Sequence, residues 1–267
     1  VTLSLLRRPG SGAALLVLAG FVVVAAFAPA LAPYGINEVV GPGWQGPGAA
    51  HPFGTDTIGR DLLSRVIYAT RTTLSMAAAI VAITMAVGVA GGLIAALRGG
   101  LTDSLLSRFN DLVMAVPSLI LVLFLIAILP REPLVLVFVI ALVEVTRVYR
   151  LTRLLAGEIA SREYVEAARL RAESTLWIAF REILPNCWRP LLAEAGLRLI
   201  FSVLMLSTVS FLGLGIQPPE TDWGSLIREN KDGMLFGATS VLFPGAAIAI
   251  LSVALGSLID AVSERRP

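Results

Sequence analysis

Three stretches of this chain, residues 13–33, 74–97 and 234–259, each exceed twenty residues without one charged side chain. A bilayer core asks for about 20 consecutive apolar residues per helix, because backbone N–H and C=O groups find no water there and must pair within the segment. Stretches of this kind leave little choice: the chain is expected to be all-α and polytopic. Composition agrees, since 56% hydrophobic residues against 15% charged is too apolar for a water-soluble domain of 267 residues.

Residues 112–130 are also uncharged and long enough to span, with Pro117 expected to kink the helix. Two further segments are apolar but carry charge. Residues 134–156 hold Glu144, Arg147, Arg150 and Arg153, and residues 190–216 hold Glu194 and Arg198. Long arginines near a helix end reach the headgroups, so both are expected to span, giving six transmembrane helices. The first run exceeds the roughly 7 to 15 residues of a signal-peptide core and is read as a retained helix.

With six spans both termini share one side. That side, comprising residues 1–12, 98–111, 157–189 and 260–267 together with Arg147, Arg150 and Arg153 at the end of the fourth span, collects fourteen arginines, or fifteen with Arg198, against six basic residues on the other. The positive-inside rule therefore places both termini in the cytoplasm and leaves two outer loops, 34–73 and 217–233.

Several chemistries are excluded. The single Cys187 and single His51 rule out a disulfide framework, a multi-cysteine metal site and an imidazole relay. The only lysine, Lys231, follows Asn230, so no phosphate-binding Gly-Lys-Ser/Thr loop exists. Any ATP and magnesium must be bound by another subunit, and the chain is expected to carry no cofactor and no catalytic site. A pI near 9.0 reflects arginines flanking apolar segments, not a nucleic-acid-binding stripe. An ion-coupled secondary transporter would want midplane carboxylates in inverted repeats, and an intramembrane hydrolase a nucleophile with a base. No histidine lies in any expected span.

The segment 157–189 stands apart. It holds five arginines and five glutamates, so its net charge is zero. A helix lying on anionic lipid wants surplus positive charge, whereas a balanced, densely charged helix suits docking on another protein. Within it, Glu166-Ala167-Ala168-Arg169, then Ala172, then Ile183-Leu184-Pro185 resemble the EAA coupling loop of ATP-binding cassette importer permeases, with two departures. Ala172 stands where that pattern has glycine and Glu182 where it has isoleucine. Alanine continues a helix where glycine loosens it, so the departure at 172 bears on the sharpness of the helical turn and not on the docking surface.

Two other stretches narrow the resemblance. His51-Pro52-Phe53-Gly54-Thr55-Asp56, Gly59-Arg60-Asp61 and Ser64-Arg65 look like the outer-loop signature of the second permease subunit of dipeptide, oligopeptide and nickel importers. Ser210 to Gly215, Gln217-Pro218-Pro219 and Trp223-Gly224 resemble the fifth span and following loop of that subunit. The resemblance implies a type I importer permease fold and a heterodimer with a second, homologous permease. It also implies two cytoplasmic ATPase subunits gripping the coupling helices, and an extracellular binding protein delivering peptides, nickel chelates or haem.

Other residues are read from their own chemistry. His51, Gly54, Thr55, Asp56 and Gly59 suggest a structured turn, with Thr55 or Asp56 capping the helix that leads to the second span. Gly88 and Gly92 form a small-residue face for helix packing. Glu144 lies one helical turn before Arg147, as a structural ion pair or a pore-lining solute contact. Ser207, Thr208 and Ser210 either line a polar path or bond back to their own helix.

Overall fold

The computed structural model describes residues 9–263, with side chains described for residues 12–261. Arg7, Arg8, Arg265 and Arg266, on which part of the orientation argument rests, lie outside the described residues.

The first apolar run forms α1 (Pro9–Ala26) and a short α2 (Ala28–Leu31), broken at Phe27. The break has a local cause: Pro29 lacks an N–H, and its ring crowds the carbonyl of Ala25. The helix expected to continue to residue 33 therefore ends earlier. Residues 32–61 follow as an irregular segment with only isolated bridges, Val39 to Arg60 and Thr55 to Asp61.

The second helix, α3 (Leu62–Arg98), is 37 residues long and begins well before the apolar run that announces it. Asp61 caps it, accepting from the Ser64 backbone N–H at 2.8 Å. The cap expected at Thr55 or Asp56 is thus displaced to Asp61, because Asp56 is committed to two arginines and Thr55 to the Pro42 carbonyl.

The third expected span is more than kinked. α4 (Gly100–Met114) and α5 (Ser118–Ile128) meet at 87° across the Ala115-Val116-Pro117 break. α6 (Pro133–Ala160) then lies alongside α3 in the same direction, Gly88 meeting Val148 and Gly92 meeting Thr152, and these two make the most extensive helix pair. Their closeness depends on the two glycines singled out in the sequence. A Cβ on Gly88 would lie 2.6 Å from Cβ of Val148, and one on Gly92 would lie 2.8 Å from the Tyr149 carbonyl oxygen. In lipid, where apolar burial gives no net drive, such approach supplies the dispersion that holds helices together.

After α7 (Glu163–Leu170) comes α8 (Thr175–Phe211), a 37-residue rod that contains a π-helical turn at Ile178–Ile183. Pro185 explains the widened turn, since its ring would crowd the Arg181 carbonyl of a regular helix. The rod starts before and stops short of the expected span 190–216. α9 (Trp223–Asn230), a 3₁₀ segment Lys231–Phe236 and α10 (Leu242–Ser263) complete the described chain. The last span was expected from residue 234. The 3₁₀ segment and Gly237, in the left-handed region at φ 78°, delay it.

By length and apolarity alone α3, α8 and residues 242–261 of α10 can each cross a bilayer, and the bent α4–α5 pair counts as a fourth candidate. The apolar part of α1, Gly12–Ala26, is shorter. α6 has the length, but its charges exceed what an apolar span carries, and those charges are paired within the protein. Glu144 is 1% exposed and forms an ion pair with Arg198 of α8, while Arg153 is held by Asp103 of α4.

Candidate functional site: the coupling segment and its outer counterpart

α7 forms from Glu163-Tyr-Val-Glu-Ala-Ala-Arg-Leu170, with Glu163 and Glu166 in its first turn, where acidic side chains complement the helix dipole. Two residues seat it. Val165 and Ala168 are fully buried in a cluster with Leu93 of α3, Ala156 and Ile159 of α6, and Ile178 and Ile183 of the π turn. The opposite face is free: Glu166, Ala167, Arg169 and Leu170 are exposed, Leu170 by 85%. Tyr164, Leu176 and Phe180 add exposed apolar surface beside it. A seated helix whose outer face mixes apolar and charged side chains has the character of a protein interface.

Ala172 ends α7 in the left-handed region, at φ 60°. Its N–H donates to the Arg169 carbonyl at 2.9 Å, and the Glu173 N–H donates to the Ala168 carbonyl at 3.2 Å. The turn closes sharply, in the conformation glycine favours. The packing of Val165 and Ala168 overrides the local preference, at a cost of about 1 kcal/mol for alanine in this conformation. Ala172→Gly is therefore expected to raise the stability of the purified chain by roughly 0.5–1 kcal/mol, read as a higher midpoint in thermal unfolding in detergent. An unchanged or lower midpoint would mean that the turn carries no strain.

Of the motif's closing residues, Ile183 is buried in the same cluster as α7, Leu184 is half-buried and Pro185 is exposed. Ser174 caps the rod, accepting from the Trp177 N–H at 3.2 Å. α7 thus sits at the foot of α8, a continuous 37-residue helix.

The outer-loop signature folds into a compact knot. His51 Nδ1 lies 2.9 Å from Asp61 Oδ1, which places the histidine in support of the α3 cap. Gly54 and Gly59 have φ of 76° and 87°, and a Cβ on either would strike a backbone carbonyl. Asp56, fully buried, accepts from the N–H groups of Ile58 and Arg60, from Arg60 Nε at 2.6 Å and from Arg65 Nη1 at 2.6 Å. Both arginines also reach Glu229 Oε2 of α9, at 2.9 and 2.6 Å. This network ties the first outer loop to the second. Nothing in sequence spacing links Arg65 to a glutamate 164 residues away.

The second outer loop is anchored inward. Trp223 is fully buried, with Nε1 donating to Thr70 Oγ1 at 3.3 Å. A Cβ on Gly224 would fall 2.1 Å from the Ser207 carbonyl oxygen, so the loop backbone lies directly on α8. Asp222 caps α9 through the N–H groups of Gly224 and Ser225. Burial pushes its carboxyl above the ordinary range, against the pull of the Ser225 donors.

The polar residues considered for the pathway go different ways. Ser207 and Ser210 are buried, Ser210 Oγ accepting from the Ile216 N–H at 3.3 Å and Ser207 Oγ meeting no hydrogen-bond partner among the described residues. Thr208 bonds back to the Leu204 carbonyl at 2.7 Å. Glu144 is paired first with Arg198, whose Nε also lies 2.8 Å from Glu194 Oε1, and only loosely with Arg147 at 3.4 Å. The partner read from helical spacing is the minor one. An acid and a base both stranded in apolar runs were the available signal for the Glu144–Arg198 pair.

A family model described as binding-protein-dependent transport system inner membrane component matches residues 88–266. The chain is 34% identical to the di/tripeptide transport system permease protein DppC of Pseudomonas aeruginosa, over 98% of this chain and 88% of that protein. It is 32% identical to the dipeptide transport system permease protein DppC of Haemophilus influenzae, over 91% and 84%. To the probable D,D-dipeptide transport system permease protein DdpC of Escherichia coli it is 33% identical, over 82% and 73%.

Proposed function

Because the chain belongs to the binding-protein-dependent transport system inner membrane component family, we propose that it forms half of the membrane pathway of an ATP-driven importer for dipeptides or oligopeptides. The observation that carries the proposal is α7: a helix held from behind by Val165 and Ala168, presenting Glu166, Ala167, Arg169 and Leu170 outward at the foot of a rigid rod. The names of the relatives, all peptide or dipeptide permeases, support the solute class.

In this reading a second, homologous permease completes the pathway. Two cytoplasmic ATPase subunits bind ATP and magnesium, and one of them grips α7. An extracellular binding protein docks on the knot of residues 34–61 and α9. Six helices cross the membrane with both termini inside, and this chain performs no bond chemistry. Closure of the ATPases pushes α7, the rod α8 tilts, and its packing against α3, α6 and α9 exchanges one arrangement for another.

Reversal of one exposed charge tests the reading. In the reconstituted complex Glu166→Arg is expected to lower ATP-dependent dipeptide uptake and receptor-stimulated ATP turnover by tenfold or more. Purification yield and melting of the chain stay unchanged, because Glu166 is not part of its core. Turnover and uptake at wild-type rates would refute the coupling role of α7.

A further inference from the structure

The α6 face that carries Arg147, Arg150 and Arg153 holds three guanidiniums one helical turn apart, and they are unequally neutralised. Arg153 is gripped by both carboxylate oxygens of Asp103, and Arg150 makes one contact with Asp111 at 3.0 Å. Arg147 is the least satisfied of the three. Its partners are Glu144 at 3.4 Å and Ser118 Oγ at 3.3 Å, with the Phe201 ring 5.6 Å from its centre. Glu144 spends its charge on Arg198. Yet the Arg147 side chain is 38% exposed, about 21 Å along α6 from its outer end at 1.5 Å per residue.

A cation at that depth is not stable against hydrocarbon, where it costs about 2.5–3.5 kcal/mol or more. The exposed side of Arg147 therefore faces water or another polar surface. A guanidinium with spare N–H donors in a planar fork matches a carboxylate, which takes two parallel hydrogen bonds. We infer that Arg147 lines the solute pathway and receives the C-terminal carboxylate of a peptide in transit, displacing the weak Ser118 contact. The identity of the anion rests on the peptide reading above. The placement of Arg147 on a water-filled path rests only on α6 crossing the membrane, as proposed above.

The test uses the complete transporter in proteoliposomes. A thiol is introduced by Ser118→Cys, beside Arg147, with the wild-type chain, whose Cys187 is buried, as background. The thiol is expected to react at least fivefold faster with a negatively charged methanethiosulfonate than with a positively charged one. That preference falls to about one in Ser118→Cys/Arg147→Gln and returns in Ser118→Cys/Arg147→Lys. A thiol closed to both reagents, or a preference indifferent to Arg147, overturns the pathway assignment, the first outcome placing this face against lipid or the second permease. Uptake is then compared for a dipeptide and its C-terminal amide at equal receptor occupancy. Arg147→Gln is expected to erase a fivefold or greater preference for the free acid, and an undiminished preference overturns the carboxylate assignment. If the wild-type transporter carries no peptide, the solute class fails, while the thiol result still decides where Arg147 lies.

Discussion

Glu144→Ala is expected to destabilise the purified chain by about 3 kcal/mol, the lower end of the 3–5 kcal/mol lost when one partner of a buried ion pair is removed. Arg198 is 5% exposed and would keep its charge in an apolar bundle. The lower end applies because Glu194 remains 2.8 Å from Arg198 Nε and offers partial compensation. Loss of the pair loosens α6 from α8, two helices that otherwise meet through apolar side chains such as Ile140 and Leu206. The double variant Glu144→Gln/Arg198→Met is expected to recover most of the loss, since removing both charges also removes their desolvation cost. Denaturant titration in detergent, followed by tryptophan fluorescence, measures both variants. A Glu144→Ala chain as stable as wild type would show that water reaches Arg198 and that the pair is not a structural element.

Asp56→Ala is expected to have the other large effect, about 3–5 kcal/mol localised to the outer knot. Two arginines, Arg60 and Arg65, would be left to share Glu229 alone, and the N–H groups of Ile58 and Arg60 would lose their acceptor. Each unsatisfied buried donor adds roughly 1–3 kcal/mol. Detachment of the first outer loop from α9 is the structural consequence. It is read as protease cleavage within residues 34–61 of the reconstituted protein from the outer side, at least tenfold faster than in wild type. Asp56→Asn keeps the backbone acceptor and loses the charge, so it is expected to fall between the two. A loop equally resistant in all three proteins would mean that Glu229 suffices to hold both cations.

The two variants expose what sequence reading reaches and what it does not. Asp61, the residue that caps α3, stood in the quoted signature, but Asp56 was the chemically equivalent candidate. The choice was made by Arg60 and Arg65, which claim Asp56. Ala172 shows the same limit from the other side. Local propensity argues for helix, and the buried seat of Val165 and Ala168 holds the residue in the left-handed region instead. Pro117 announced a kink, but only the packing of α4 against α3 and α6 turned it into a bend of 87°.

By itself the sequence determined that the chain is helical and where most of its apolar helices lie. The physical reason is locality: in lipid every backbone polar group must be satisfied within its own helix, so each span is written as an uninterrupted run. The partners of Glu144, Glu229 and Trp223 were decided only by tertiary structure, as was the exposure of Arg147. Those depend on how long helices rotate and cross, and side chains 54 to 164 residues apart meet by that geometry alone.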